Sequence, residues 1–319
     1  MKTLGDIGEL AAVARLAALL PTRADVVVGP GDDCAVVRSP GDARFDLLLT
    51  SDPVIEGVHF DEGTPTHRVG YKAVGRVLSD IAAMGGEPLW ALLDLGAPAE
   101  SPVARLEEIY HGAVSLAQRH NLALVGGDTG AAERLALHVF AVGRAPAGTA
   151  ITRSGASPGD ALYVTGSLGG SALGKHLAFE PRVREGLWLR EQGFAAAMID
   201  LSDGLGSDLR RLCAMSGTGA SIRAAAVPVD PAALRIDDAR GGLAHALEDG
   251  EDFELLFCVG ARAQKRFEKA WREEQSLACV QIGIMTERQG LVEIEDGNGQ
   301  RRTLAETGYE HFNSSSSSP

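Results

Sequence analysis

Six separate stretches of this 319-residue chain set an acid at the end of an apolar run or beside glycine. They are Gly31-Asp32-Asp33, Thr50-Ser51-Asp52, Leu78-Ser79-Asp80, Gly126-Gly127-Asp128, Ile199 to Gly204, and Gly250-Glu251-Asp252. An apolar run of strand or helix length delivers the residues after it to one end of a layer, where loops carry chemistry. A fold that gathers these acids must deal with their repulsion. Two unit charges about 4 Å apart repel by roughly 4 kcal/mol at an effective dielectric of about 20, so gathered acids need cations between them. Thr50, Ser51 and Asp52 come directly after the apolar run Leu47 to Leu49 and offer consecutive hard oxygen donors, which Mg²⁺ prefers and zinc does not. Taken singly, each stretch is also turn or cap chemistry. Ser-Asp-Pro suits a turn, Ser202 or Asp203 alone can cap a helix, and Arg76 lies one helical turn from Asp80 as for a surface ion pair.

Composition narrows the class. A formal net charge of −13 argues against a nucleic-acid partner, which calls for a basic face. Hydrophobic content of 45% and charged content of 23% are those of a globular protein. Cys34, Cys213, Cys258 and Cys279 form no Cys-x-x-Cys unit, which points to reduced thiols in a cytoplasmic protein. Asp6, Glu9 and Arg15 interrupt any N-terminal signal-like stretch, and no run is long enough to cross a bilayer, so no membrane partner is expected.

Periodicity places the acids. The spacing predicts a helix over 9–20, strands over 26–28 and 35–37, a strand ending at Leu49, a helix over 69–84 and a strand over 89–95. A helix over 103–120 comes next, with Leu106, Tyr110, Ala113, Val114 and Ala117 as its buried stripe, then strands over 122–125 and 135–144. Glycine and proline thin the pattern after Pro146, which sets a domain boundary there. The second half reads as strands over 161–165, 195–201, 253–259, 281–284 and 291–294, with helices over 206–215, 242–247 and 262–274. Gly169 and Gly174-Lys175 have the spacing of a phosphate-cradling loop, but His176 replaces the hydroxyl residue such a loop needs, and a helix is expected from about Ser171 instead. The serine-rich tail is expected to be disordered.

Nine motifs in order carry a resemblance. They are Gly-Asp-Asp-Cys-Ala-Val at 31–36, Glu-Gly-Val-His-Phe at 56–60, Tyr-Lys-Ala-Val at 71–74, Leu-Ser-Asp-Ile-Ala-Ala-Met-Gly at 78–85, and Gly-Gly-Asp-Thr at 126–129. Thr-Arg-Ser-Gly-Ala at 152–156, Ile-Asp-Leu-Ser-Asp-Gly-Leu at 199–205, Gly-Glu-Asp-Phe-Glu-Leu at 250–255 and Gly-Tyr-Glu-His-Phe at 308–312 complete the set. Together they resemble the thiamine-monophosphate kinases of the aminoimidazole-ribonucleotide-synthetase-like superfamily, over nearly the whole chain. The resemblance implies an α+β, two-domain fold with mixed sheets and flanking helices, divided here as 1–146 and 147–312 ahead of the tail 313–319. It implies ATP-dependent phosphorylation of thiamine monophosphate to thiamine diphosphate, by a homodimer using several Mg²⁺ ions.

Carried over by position, the implied Mg²⁺ ligands are Asp33, Thr50, Ser51, Asp52, Asp80, Asp128, Asp200 and Asp203, of which Asp33, Asp52, Asp80, Asp128 and Asp203 are the catalytic set. The implied ATP contacts are Tyr110, Gly127, Asp128, Arg153 and Ser202, and the implied acceptor contacts are His59, Glu251 and an aromatic near the C-terminus, Tyr309. The chain departs from that pattern at Pro53, at Glu248-Asp249 and at Glu306, which stands near the expected aromatic. Two other readings share the acids: a related synthetase of the selenophosphate or aminoimidazole ribonucleotide type, and a non-catalytic Mg²⁺ or nucleotide-binding protein. The selenophosphate type calls for a reactive Cys or Lys in a glycine-rich N-terminal segment, and the residues before Gly29 hold no Cys and no such glycines.

Overall fold

The computed structural model describes residues 3–305, so Glu306, Tyr309 and the tail 313–319 lie outside the described residues. Two short helices, α1 (Leu4–Ile7) and α2 (Glu9–Ala17), precede a sheet built from β1 (Val26–Val28), β2 (Ala35–Arg38), β3 (Phe45–Ile55), β4 (Glu87–Ala97), β5 (Ala123–Gly126), β6 (Thr129–Ala131) and β7 (Ala136–Pro146). Its order is β1-β2-β3-β7-β4-β5, with β6 also beside β4. Helices α3 (Thr66–Ala83) and α4 (Val103–Arg119) are packed together, with α3 laid on β3 and β7. Strand β7 shows why the sheet has one covered face: Leu137, Val139 and Ala141 are buried while His138 and Phe140 between them are exposed.

Strand β3 does not stop at Leu49, as the apolar run suggested; it continues to Ile55, paired with β7 from Phe45↔Pro146 to Ile55↔Ala136. Pro53 is tolerated because β2 reaches only as far as Ala35↔Leu49, leaving the other edge of β3 without a ladder partner among the described residues. Thr50, Ser51 and Asp52 therefore lie inside a strand, and the two-residue period separates them. Thr50 is buried and Asp52 half-buried on the helix-covered side, whereas Ser51 is exposed on the other.

The α3–α4 crossing explains another departure. A Cβ at Gly70 would lie 1.9 Å from the Ile109 carbonyl oxygen, and one at Gly112 would lie 1.7 Å from that of His67. The helices touch backbone to backbone there, so the buried face of α4 is centred on Gly112 and holds Ile109, Ala113, Leu116 and Ala117. Tyr110 is 37% exposed and Val114 36%, not part of a buried stripe.

The second half forms a sheet of β8 (Ala161–Thr165), β9 (Ala195–Asp200), β10 (Gly219–Arg223), β11 (Leu255–Val259), β12 (Cys279–Thr286), β13 (Val292–Glu295) and β14 (Arg301–Thr303). The order is β14-β13-β10-β12-β8-β11-β9, flanked by α5 (Val183–Glu191), α6 (Leu205–Ser216), α7 (Gly242–Glu248) and α8 (Gln264–Glu274). Strands β8 and β11 are buried at every residue, as runs covered on both faces must be. Strands β6, β10 and β14 and helix α5 had no expectation in the sequence, and the helix expected from Ser171 is replaced by two 3₁₀ turns, Ser171–Leu173 and Lys175–Leu177. One apolar core runs from the first sheet through α3 into the second, ending in an aromatic group of Tyr163, Trp188, Phe194, Phe257, Phe267 and Trp271. Among the described residues no helix is long and apolar enough to cross a membrane.

Candidate active site

Helix α3 carries the site between the two sheets. Asp80 sits in its last turn, Asp33 in the loop between β1 and β2, and Asp200 at the end of β9; one carboxylate oxygen from each lies within 4.8 Å of the others. Hydroxyls hold them in place: Ser79 Oγ donates to Asp200 Oδ2 at 2.6 Å, and Thr50 Oγ1 donates to Asp80 Oδ2. Arg153 is the cation in reach, its guanidinium 2.7 Å from Asp33 Oδ1 and 3.1 Å from the Gly31 carbonyl. Asp33 Oδ2 is buried with no hydrogen-bond partner among the described residues.

This arrangement leaves charge unmet. Burial pushes the Asp80 carboxyl well above its ordinary value, and Asp52, Asp200 and Asp33 add to it. Burial and then Asp33 push Asp200 up to about 7, and burial and Asp33 raise Asp32 to about 6. A partnerless buried carboxylate oxygen facing two more acids is a donor set for a hard divalent cation, which would supply the missing charge.

A second constellation adjoins the first. Asp52 Oδ1 accepts from Arg76 at 3.0 Å, and the other end of the same guanidinium is 3.3 Å from Glu251 Oε1. Lys72 lies one helical turn before Arg76 and is wholly buried; its Nζ is 2.6 Å from Glu251 Oε1, 2.6 Å from His176 Nδ1 and 2.6 Å from the His59 carbonyl. Burial lowers the Lys72 ammonium to about 8, against the pull of Glu251. Burial alone would raise Glu251, but His176, Lys72 and Arg76 outweigh it and hold its carboxyl well below the usual range. His59 is buried, with Nδ1 accepting from the Ile55 N–H at 3.1 Å.

The segment carrying Glu251 is strained. Glu251 and Phe253 have φ of 53° and 52°, a left-handed conformation costly for an aromatic residue. Hydrogen bonds pin it: Glu251 N–H donates to the Ser202 carbonyl and Phe253 N–H to that of Leu201, both at 2.8 Å. The segment thus has two sides. Glu251 faces α3, while Asp252 accepts from Gly169 N–H at 2.9 Å and Glu254 accepts from Arg182 at 2.7 and 2.6 Å. Lys175 bonds the Ser167 carbonyl and stands 3.4 Å from Asp252, so the glycine-rich turn is tied down by acids and is not a phosphate cradle.

The remaining expected residues fall into two outlying groups. Gly127 is required by contact, since a Cβ there would lie 1.9 Å from the Leu93 carbonyl oxygen; Tyr110 Oη approaches the same oxygen at 3.5 Å. Asp128 is exposed and its N–H donates to Asp94 Oδ1 at 2.8 Å, outside the Asp33, Asp80, Asp200 group. Asp203 pairs with Arg211, and the cap of α6 is Gly204, neither Ser202 nor Asp203. Buried Asp208 reaches back to accept from Ser202 N–H at 3.1 Å and Asp203 N–H at 3.0 Å. Ser51 is exposed, on the face of β3 opposite to Thr50 and Asp52. Arg76 pairs with Asp52 and Glu251, not in a surface bridge with Asp80.

Sequence reasoning missed Lys72, Arg76, His176 and Asp208 as site residues. The signal available was a lysine and an arginine four apart, among apolar residues of α3, in line with Asp80.

Comparison with known proteins gives a consistent picture. Residues 31–145 match the family described as AIR synthase related protein, N-terminal domain. The chain is 38% identical to a thiamine-monophosphate kinase of Rhodopirellula baltica, covering 83% of this chain and 85% of that protein. It is 35% identical to the thiamine-monophosphate kinase of Escherichia coli, covering 96% and 98%. Among solved structures, AaThiL complexed with AMPPCP and TMP superposes with a TM-score of 0.84 at 27% identity, over 98% of this chain and 99% of that one.

Proposed function

The chain belongs to the thiamine-monophosphate kinases, and from that premise we propose how its cleft phosphorylates thiamine monophosphate to thiamine diphosphate with ATP. The observation that carries the reading is the convergence of Asp33, Asp80 and Asp200 from three separate elements, with one buried oxygen left over. The acceptor is a phosphate oxygen, already anionic, so no general base is called for and catalysis reduces to positioning and charge neutralisation. Among the described residues the gathered acids include no histidine, which fits that requirement.

Asp33, Asp80 and Asp200, with Asp52 and Thr50 beside them and Asp128 and Asp203 at the flanks, are the residues we assign to Mg²⁺. Bound there, Mg²⁺ supplies the charge that lets two phosphorylated molecules approach. Ser51 is kept as an outlying member of the set, exposed on the opposite face of β3 from Thr50 and Asp52. Arg153 steadies the ATP phosphates, and Tyr110, Gly127, Asp128 and Ser202 line the nucleotide side. Supporting the nucleotide side, Tyr110 and Gly127 meet at the same carbonyl of β4. Glu251 and His59 orient the acceptor, with Tyr309 retained as its aromatic contact.

We divide the chain at about residue 146 and place the enzyme in the cytoplasm as a homodimer. Four unpaired cysteines support the compartment. The uncovered face of the first sheet supports the pairing, since Trp90, Leu92, Val125 and Phe140 are 50%, 40%, 61% and 39% exposed there. The test of the function is a coupled assay of the purified chain with ATP, Mg²⁺ and thiamine monophosphate. Thiamine diphosphate and ADP in equal amounts are the expected products; ATP turnover without thiamine diphosphate would overturn the reading.

A further inference from the structure

We infer that Arg76 holds the phosphate of the acceptor, at the junction between the acid group and the acceptor side of the cleft. This rests on the function proposed above. The guanidinium spans Asp52 at 3.0 Å and Glu251 at 3.3 Å, the first on the metal side and the second on the acceptor side. Its side chain is 12% exposed, and its buried Nε has no hydrogen-bond partner among the described residues. A buried guanidinium with an unmet N–H, in a cleft that must take in phosphate, has the donor arrangement for a phosphate oxygen.

The neighbouring cations are engaged elsewhere. Lys72 is enclosed by Glu251, His176 and a carbonyl. Arg153 grips Asp33 and the Gly31 carbonyl and, although its buried Nε also lacks a partner among the described residues, is already assigned to the ATP phosphates; Arg182 grips both oxygens of Glu254, and Arg211 is shared by Asp203 and Asp208. Arg76 differs because both its partners are themselves assigned to ligands. When Asp52 turns to a cation and Glu251 to the acceptor, the guanidinium is freed toward the anion that arrives between them. Phe253 keeps it in place: its ring centroid lies 5.8 Å from the guanidinium carbon and is backed by Phe179 stacked at 4.1 Å. The left-handed backbone at Phe253 is thus spent on presenting that ring.

The experiment compares binding of thiamine monophosphate and of thiamine, which lacks the phosphate, to the full-length wild type and Arg76→Gln, with ATP affinity measured alongside. R76Q is expected to lose affinity for thiamine monophosphate by about tenfold or more while thiamine stays within about twofold. Equal losses for both ligands, or none for the monophosphate, overturn the assignment. Should R76Q not fold, Arg76→Lys carries the test, with an expected loss of about threefold confined to the monophosphate. Failure of the underlying reading is separate: wild type would then make no thiamine diphosphate from ATP and thiamine monophosphate, whatever Arg76 does.

Discussion

Two groups of acids, one at Asp33, Asp80 and Asp200 and one at Asp252 and Glu254, are treated differently by the chain. Glu254 is 1% exposed and saturated by its own protein, with Arg182 on both oxygens and the Thr165 hydroxyl at 2.8 Å. Asp33, Asp80 and Asp200 are gathered within 4.8 Å but, among the described residues, receive one guanidinium and two hydroxyls between them. Asp252 is intermediate, raised to about 7 by burial against the pull of Lys175 at 3.4 Å and of the Gly169 N–H. The difference teaches what each group is for. A buried acid matched by a fixed cation ties two segments together, whereas an unmatched group is a structural cost that the proposed Mg²⁺ would offset.

Removing one carboxylate from each group should separate them most sharply. Asp80→Asn is expected to cut turnover about a thousandfold at saturating Mg²⁺, roughly 4 kcal/mol of transition-state stabilisation, with no loss of folding stability when both proteins are melted without Mg²⁺. Steady-state kinetics beside a thermal melt checks it. Glu254→Gln should do the reverse, lowering unfolding free energy by about 3 kcal/mol because the Arg182 charge is left buried and unpaired. Denaturant unfolding measures that loss, and a stability equal to wild type would break the comparison.

The acidity of the unmatched group gives a third test. Burial and then Asp33 push the Asp200 carboxyl up from its ordinary 3.8 to about 7. Its folded value is above its unfolded one, so its favourable contribution is complete below pH 3.8 and is lost as pH climbs through about 7. Melting temperature without metal should therefore fall across that interval, and added Mg²⁺ should restore it at the alkaline end. A flat profile without metal would contradict the unmatched charge. The smallest effect is expected at Ser51→Ala, where turnover should stay within about twofold because Ser51 is exposed on the opposite face of β3 from Thr50 and Asp52.

Much of this is legible in the order of the amino acids. The acids are recognisable by their places after apolar runs and beside glycine, and strand 161–165 falls where its apolar run and flanking glycine put it. The end of β3 is not legible, because its continuation from Leu49 to Ile55 depends on pairing with residues 136–146, which no local pattern contains. The buried face of α4 is hidden for another reason: backbone contact at Gly112, not the larger side chains, decides what is covered. Lys72, Arg76 and His176 share the difficulty of β3, since they meet at Glu251, which is 179, 175 and 75 residues further along the chain.

The most direct measurement is the shift in melting temperature on adding Mg²⁺ to wild type, D80N and E254Q. The account predicts that Mg²⁺ raises the melting temperature of wild type and of E254Q by similar amounts and leaves D80N nearly unmoved. A D80N shift equal to that of wild type would contradict it.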